Sequence, residues 1–250
     1  MHHDHLSSSV KYASHNAYQQ QYYENALDKK TMQVAFTPYI MRHVERMWTA
    51  ADLQAGQRVL EVGAGLGRFS VPLVERGLDL TCLDISAVML ERLQASVKKR
   101  HRTVTTVHCD VADAGSFIPA VYERAVGFFT LHHMHDLKAV FRGVRSVLLP
   151  GARVSFCEPV GHNPLYYLQV SLMPGMRWAA EKGFVNMRRR KVFSAMKAAG
   201  LKPNLHLSYG FFPPFVVNRP LGTRIEDALN RCSLLNPGHA FQIFSATVPK

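Results

Sequence analysis

The sequence predicts an α/β protein with a doubly wound, mostly parallel seven-stranded sheet, a helical N-terminal arm and an inserted cap. From residue 57 onward, short β-branched segments alternate with helical segments of about ten residues, which is the rhythm of βαβ units. A glycine-rich turn follows the first of these strands. The chain has 250 residues and is 47% hydrophobic, which is enough for a sizeable core.

The N-terminal part, residues 1–50, is predicted to supply an arm and lid helices. Its first thirty residues are polar and rich in tyrosine, and they are interpreted as a flexible or helical arm. An approximate apolar stripe then predicts a helix from Thr31 to Ala50, kinked at Pro38. Residues 51–250 are predicted to form the main domain, with the cap insertion at about 159–190.

Seven strands and five helices are expected in the main domain. The strands are predicted at Arg58–Val62, Leu78–Leu83, Val104–His108, Ala125–Thr130, Arg153–Cys157, Lys202–Tyr209 and Ala240–Val248. The helices are predicted at Leu66–Arg76, after Ser86 as N-cap, at Leu137–Leu149, Lys191–Gly200 and Leu221–Asn230. A Pro150-Gly151 turn is expected to separate the Leu137–Leu149 helix from the fifth strand.

The cap and the arm are predicted to enclose a substrate. The cap is rich in apolar and aromatic residues and follows a strand at the carboxyl side of the sheet, where ligands bind in such folds. Two alternatives are that these residues cover the sheet edge or that they form a dimer contact. The candidate substrate-contacting residues are Tyr22, Tyr23, His162, Tyr166, Tyr167 and Trp178.

Charge and composition exclude some classes of protein and leave others open. The net charge of +12 is concentrated in the runs at 188–191 and 98–102, which are interpreted as solvated helix ends or as a surface for nucleic acid or an anionic membrane. No apolar run approaches the roughly 20 residues of a membrane-spanning helix, and no secretory leader is recognisable. The four cysteines are scattered without metal or redox spacing, so we expect a cytoplasmic protein.

The most informative segment runs from Val59 to Arg68 and has the pattern Glu-x-Gly-x-Gly-x-Gly. Glycines let a backbone turn sharply and let a ligand approach closely. The spacing differs from the G-x-G-x-x-G pyrophosphate fingerprint, and no P-loop lysine follows. A merely tight strand-to-helix turn is the alternative. The candidate ligand-binding residues here are Glu61, Gly63, Ala64, Gly65 and Gly67.

Carboxylates follow the next two strands. Asp84 can accept hydrogen bonds from both hydroxyls of a ribose, and Ile85 beside it offers an apolar surface to an adenine ring. Asp110 can accept from an exocyclic amine, with Val111 packing nearby. The alternative for each aspartate is ordinary turn chemistry.

These segments, together with Tyr122–Leu137 and Val147–Pro159, resemble the successive motifs of class I S-adenosylmethionine-dependent methyltransferases. The small-molecule enzymes of ubiquinone and menaquinone biosynthesis are the most similar subgroup. The resemblance covers about residues 57–160 and implies a Rossmann-like methyltransferase fold. It implies S-adenosyl-L-methionine as cofactor and S-adenosyl-L-homocysteine as product. It places the methionine part of the cofactor against Glu61 and the glycines, with Gly127 and Phe128 on the same side.

His132 and His133 are the candidate catalytic residues. Either imidazole could accept a proton from a hydroxyl acceptor. Because Leu-His-His is common at this place in the resembling family, a role in loop structure or cofactor packing is the stronger interpretation. No metal site is predicted.

The predicted function is methyl transfer by in-line SN2 displacement to a small, apolar or aromatic acceptor, with a lipid-linked acceptor among the options. A contact with a membrane surface would suit such an acceptor. The alternatives are an RNA methyltransferase, suggested by the charge but lacking a recognisable RNA-binding module, and a non-catalytic cofactor-binding partner protein. No nucleic-acid partner is expected, and the oligomeric state is left open.

Overall fold

A computed structural model describes residues 14–29, 32–163, 167 and 182–250. Its centre is a seven-stranded sheet in the order β3-β2-β1-β4-β5-β7-β6. Neighbouring strands are parallel except β7, which runs antiparallel to both β5 and β6. This is the doubly wound sheet that the alternating pattern predicted.

Helices cover both faces of this sheet. The strands are β1 Arg58–Val62, β2 Asp79–Asp84, β3 Thr105–His108, β4 Tyr122–Phe128, β5 Leu148–Pro159, β6 Lys202–Tyr209 and β7 Phe241–Thr247. The α-helices in the described part are α1 at residues 14–24, α2 Pro38–Ala51, α3 Ser70–Glu75, α4 Ala87–Lys98, α5 Leu137–Ser146, α6 Arg189–Ala198, α7 Pro214–Val217 and α8 Pro220–Asn230. Short 3-10 helices lie at Val111–Ser116, Leu131–His133, Lys182–Asn186 and Ser233–Gly238.

The predicted start of the lid helix at Thr31 was wrong. Helix α2 begins at Pro38, and the described residues before it, 32–37, are not α-helical. Proline fits the first turn of a helix because its missing N–H would have no partner there. Thr37 is the N-cap, and its hydroxyl accepts from the backbone N–H of Ile40 at 3.4 Å. The proline therefore starts the helix instead of kinking it.

The start of helix α3 and the place of the Pro150-Gly151 turn also differ from their predictions. Helix α3 begins at Ser70, four residues after the predicted Leu66, because the glycine turn extends through the intervening residues. The predicted Pro150-Gly151 turn lies inside β5, where the pairing with β4 shifts register and Gly151 has φ +81°. The Pro150-Gly151 pair does form an irregularity in the backbone, but this is a bulge within β5 and not a turn before its start.

The core consists of two apolar clusters on opposite faces of the sheet. Alternate residues of β1 point to opposite faces, so Leu60 and Val62 join one cluster and Val59 joins the other. Helices α5 and α6 cover the first cluster, and α2, α3 and α4 cover the second. Over the described residues, no helix is both long and apolar enough to cross a bilayer.

Strand register positions the site. Val62 at the end of β1 pairs with Leu83 on β2 and with Gly127 on β4. Asp84 pairs with His108 at the end of β3. The segments that follow β1, β2, β3 and β4 therefore leave the sheet at one edge, which is where the sequence placed its candidate residues.

Candidate active site

A cavity of about 370 Å³ opens at the carboxyl edge of the sheet. The glycine turn, the ends of β2, β3 and β4, and helix α1 surround it. The structure brings many of the sequence-predicted residues together in its lining: Tyr23, Gly63, Ala64, Gly65, Asp84, Ile85, Asp110, Val111, Phe128, His132 and His133.

The glycine turn requires glycine on conformational and steric grounds. Gly63, Gly65 and Gly67 have φ angles of +70°, +53° and +84°, which L side chains rarely adopt. A Cβ on Gly63 would overlap the Thr130 hydroxyl. A Cβ on Gly65 would meet only Met89 Sδ, at 3.9 Å, so this peptide offers its bare backbone to the cavity.

Asp84 is buried at the cavity wall, with 8% of its surface exposed. Its Oδ2 accepts from the Gly65 N–H at 2.8 Å, and its Oδ1 accepts from the Ser86 N–H at 3.0 Å. Burial raises the pKa of the carboxyl, and the backbone hydrogen bonds oppose that rise. Each carboxylate oxygen has a second lone pair, so the same group can hold the turn and still accept from a ligand.

Asp110 has the predicted turn role and also lines the cavity, while its contact with an adenine amine stays a prediction. Its Oδ1 accepts from the Ala112 N–H at 2.9 Å and caps the 3-10 helix that follows β3, which is turn chemistry. Its Oδ2 accepts from Asn16 Nδ2 of α1, and the residue also lines the cavity. The arm is therefore attached to the carboxylate that was predicted to contact an adenine amine.

Glu61, Gly67 and Gly127 lie behind the described lining. The Glu61 carboxyl is buried beside Ser70 and Cys82, and this burial raises its pKa to about 8. A Cβ on Gly127 would overlap the Phe156 ring, so this glycine allows β4 and β5 to pack. A direct contact between Glu61 and the methionine part of a cofactor stays a prediction.

The raised pKa of Glu61 predicts a pH dependence of stability. Between its ordinary value of 4.5 and about 8, the folded protein holds a proton that the unfolded chain releases. The contribution of this proton to the free energy of unfolding is therefore complete below pH 4.5 and is lost as the pH rises towards about 8. The free energy of unfolding falls by no more than about 1.4 kcal/mol per pH unit in this range. Urea unfolding across this range should give a flatter profile for Glu61→Gln than for the wild type. An equally steep profile for Glu61→Gln would contradict the assignment.

Glu158, at the end of β5, organises the loop after β4 and was missed from the sequence. Its Oε1 accepts from the N–H groups of Thr130 and Leu131 at 2.9 and 2.7 Å, and its Oε2 lies 2.6 Å from His132 Nδ1. The carboxylate is fully buried, and His132 is 4% exposed. An acid at a strand end, as at Asp84, was the signal that could have found it.

His133 joins the loop after β4 to the arm. Its Nε2 lies 2.6 Å from the Tyr23 hydroxyl, and the two rings meet edge to face. His15 Nε2 lies 2.8 Å from the His133 carbonyl oxygen. Tyr22 packs edge-on against Tyr23 and is outside the described cavity lining. These contacts place α1 over the cavity.

The cap residues are only partly described. His162 is exposed and does not belong to the described cavity lining. Tyr167 donates from its hydroxyl to the Gly161 carbonyl at 3.2 Å, and its ring packs on Phe184. Tyr166 and Trp178 lie outside the described residues. An acceptor role for the cap stays a prediction.

Part of the cavity wall is aromatic, and the sequence did not single it out. Tyr39 from α2, Phe129 after β4 and Phe241 from β7 line it. Phe69 stacks on Phe128 with ring centroids 4.3 Å apart. Arg68, directly after the last glycine of the motif, also lines this part. Its position in the motif was the available signal. Among the described residues, no group of three potential ligands is arranged to hold a metal ion.

Comparison with known proteins agrees with this geometry. Residues 59–151 match the family described as a methyltransferase domain. A highly reducing polyketide synthase from Leptosphaeria maculans is 32% identical over 143 residues, which are 52% of this chain and 6% of the synthase. A ubiquinone biosynthesis O-methyltransferase from Pseudomonas savastanoi pv. phaseolicola is 29% identical over 119 residues, which are 46% of this chain. The chain spans 49% of that relative's length.

The fold is shared with solved methyltransferases. A geranyl diphosphate C-methyltransferase from Streptomyces coelicolor, solved with Mg²⁺, geranyl diphosphate and S-adenosyl-L-homocysteine, has a TM-score of 0.57 at 18% identity. The superposition covers 83% of this chain and 78% of that one. Residues 59–151 thus match a methyltransferase domain, and the fold is one that solved methyltransferases have, as the motifs predicted.

Proposed function

We propose that this protein transfers a methyl group from S-adenosyl-L-methionine to a small acceptor with an apolar or aromatic body. The observation that carries the proposal is the cavity itself. It combines the bare glycine turn and the carboxylates of Asp84 and Asp110 with an aromatic wall. The names of the relatives, which include O-methyltransferases, support a small-molecule acceptor.

The residues present fit the cofactor. Asp84 is buried at the cavity wall with lone pairs available to ribose hydroxyls, and Ile85 offers an apolar surface beside it. Gly65 leaves room for a ligand where a side chain would project. These features suit an adenosyl group at the carboxyl edge of a parallel sheet.

When bound, this cofactor supplies an electrophilic methyl group on a sulfonium. The protein's part is to align the acceptor with that methyl group and to exclude water, and such positioning can contribute about 7–11 kcal/mol in favourable cases. The aromatic wall of Phe69, Phe128 and Phe129 provides an apolar surface for this purpose. His132, held by Glu158, and His133 line the same cavity, and either could accept a proton from a hydroxyl acceptor.

Two measurements on the purified chain test the proposal. Calorimetry should show binding of S-adenosyl-L-homocysteine, and radiolabelled S-adenosyl-L-methionine should methylate at least one member of a panel of small phenols, amines and acids. Absence of cofactor binding would overturn the proposal. Cofactor binding with labelling of RNA alone would favour the RNA alternative, and binding without any turnover would favour the non-catalytic one. Membrane contact stays a prediction.

A further inference from the structure

Arg68 lies among aromatic rings in the cavity wall. Its guanidinium carbon lies 5.4 Å from the centre of the Phe69 ring and 5.8 Å from that of Tyr39. Its Nε is buried without a hydrogen-bond partner. Within the described ranges, Arg68 also forms no ion pair, although it lines the cavity.

In the part of the chain that the structure describes, no carboxylate is paired with this charge. Burial lowers the pKa of Arg68, yet a guanidinium stays protonated in proteins. Burial also holds the pKa of His43 well below its ordinary value, so the imidazole at the back of the aromatic wall is neutral. The Tyr39 phenol has a raised pKa, again because of burial, and remains protonated. A buried cation in such a place is costly unless a ligand supplies the anion.

Charge is distributed unevenly along the cavity. Asp84 and Asp110 lie at the side formed by the ends of β2 and β3, and each accepts hydrogen bonds from its neighbours. Arg68 lines the same cavity among aromatic rings. A ligand group with negative charge is therefore repelled by the two carboxylates and attracted to Arg68.

We propose that Arg68 binds a carboxylate of the methyl acceptor, so that the substrate class is an aromatic or apolar acid. This inference rests on the proposed function and specifies the chemical class of its methyl acceptor. A guanidinium can bind a carboxylate through two parallel hydrogen bonds, while Tyr39, Phe69 and Phe129 contact the apolar body. A single carboxylate matches the single charge of Arg68 among these rings.

The test compares acids with their neutral amides. With the protein saturated with S-adenosyl-L-homocysteine, calorimetry measures binding of protocatechuate, caffeate and octanoate, each beside its primary amide. The wild type is expected to bind at least one acid about tenfold more tightly than its amide, as one charge-assisted pair can provide. Arg68→Met should abolish that preference, and Arg68→Lys should retain part of it.

Arg76→Met is the matched control. Arg76 also lies over an aromatic ring, that of Trp48 at 5.4 Å, but it is paired with Glu45 at 2.6 Å and lies outside the described cavity lining. This variant should keep the acid preference of the wild type. Circular dichroism checks that each variant is folded. If Arg68→Met does not fold, two other results still decide the outcome. These are the acid preference of the wild type and its partial retention in Arg68→Lys.

Two results would overturn the inference. The first is a wild type that prefers none of the three acids over its amide. The second is a folded Arg68→Met variant that retains the acid preference. If that variant also binds S-adenosyl-L-homocysteine more than about tenfold less tightly, the cation serves the carboxylate of the cofactor. A wild type that does not bind S-adenosyl-L-homocysteine at all would instead contradict the proposed function.

Discussion

Replacing Asp84 with alanine is expected to weaken binding of S-adenosyl-L-homocysteine by about a hundredfold or more, or about 2.7 kcal/mol. The substitution removes the carboxylate oxygens available to the ribose hydroxyls. It also removes the acceptor of the Gly65 N–H, which is bonded at 2.8 Å in the wild type, so the glycine turn loses its support. Both effects act on the bound state, and calorimetric titration of the purified variant measures their sum.

Asp79→Ala is the matched control for this prediction. Asp79 begins the same strand, β2, but its side chain is 65% exposed and it contacts Arg58 at the surface. Its replacement should leave cofactor affinity unchanged. His133→Ala should weaken binding far less than Asp84→Ala, because His133 contacts the arm through Tyr23. Normal affinity in Asp84→Ala would show that the predicted cofactor position is wrong.

Replacing Glu158 with alanine is expected to lower the free energy of unfolding by about 3–5 kcal/mol. The fully buried carboxylate accepts two backbone N–H groups, from Thr130 and Leu131, and bonds to His132. Alanine leaves these buried groups without their acceptor and opens a cavity beside β5. Urea denaturation followed by circular dichroism measures the loss.

Glu158→Gln and Glu123→Ala complete this experiment. Glutamine keeps one carbonyl oxygen for the backbone donors, so its loss should be smaller than that of alanine. Glu123 is an exposed residue of β4, and its replacement should change stability by less than about 0.5 kcal/mol. A loss below about 1 kcal/mol in Glu158→Ala would show that this carboxylate does not organise the loop.

Local patterns predicted most of the sheet. The bounds of β1 and β6 match the prediction because β-branched and apolar runs between turn residues define a strand within a few positions. Ser86 caps α4 as its position predicts, with its hydroxyl accepting from the Met89 N–H at 3.3 Å. Helix starts were less well predicted, since Pro38 is compatible with a kink and with a first turn, and only packing decides between them.

The candidate site also contains residues that the sequence predicted and residues that it did not. The glycine turn and the strand-end acids Asp84 and Asp110 could be placed together because parallel strands that follow one another in the chain end at one edge. Glu158 is also an acid at the end of a strand. Its partner His132 lies 26 residues away in sequence, however, and a local pattern does not predict such a contact.

The sequence by itself determined the parallel sheet, the match to a methyltransferase domain and the edge of the sheet at which the cavity lies, since each depends on periodicity or on spacing within one βα unit. Tertiary structure decided the rest of the cavity. It brought Tyr39 of α2 and Phe241 of β7, which are about two hundred positions apart, to one wall. It also placed Arg68 between the rings of Tyr39 and Phe69, with no ion pair among the described residues. Such contacts exist only after the chain has folded, so a local pattern cannot specify them.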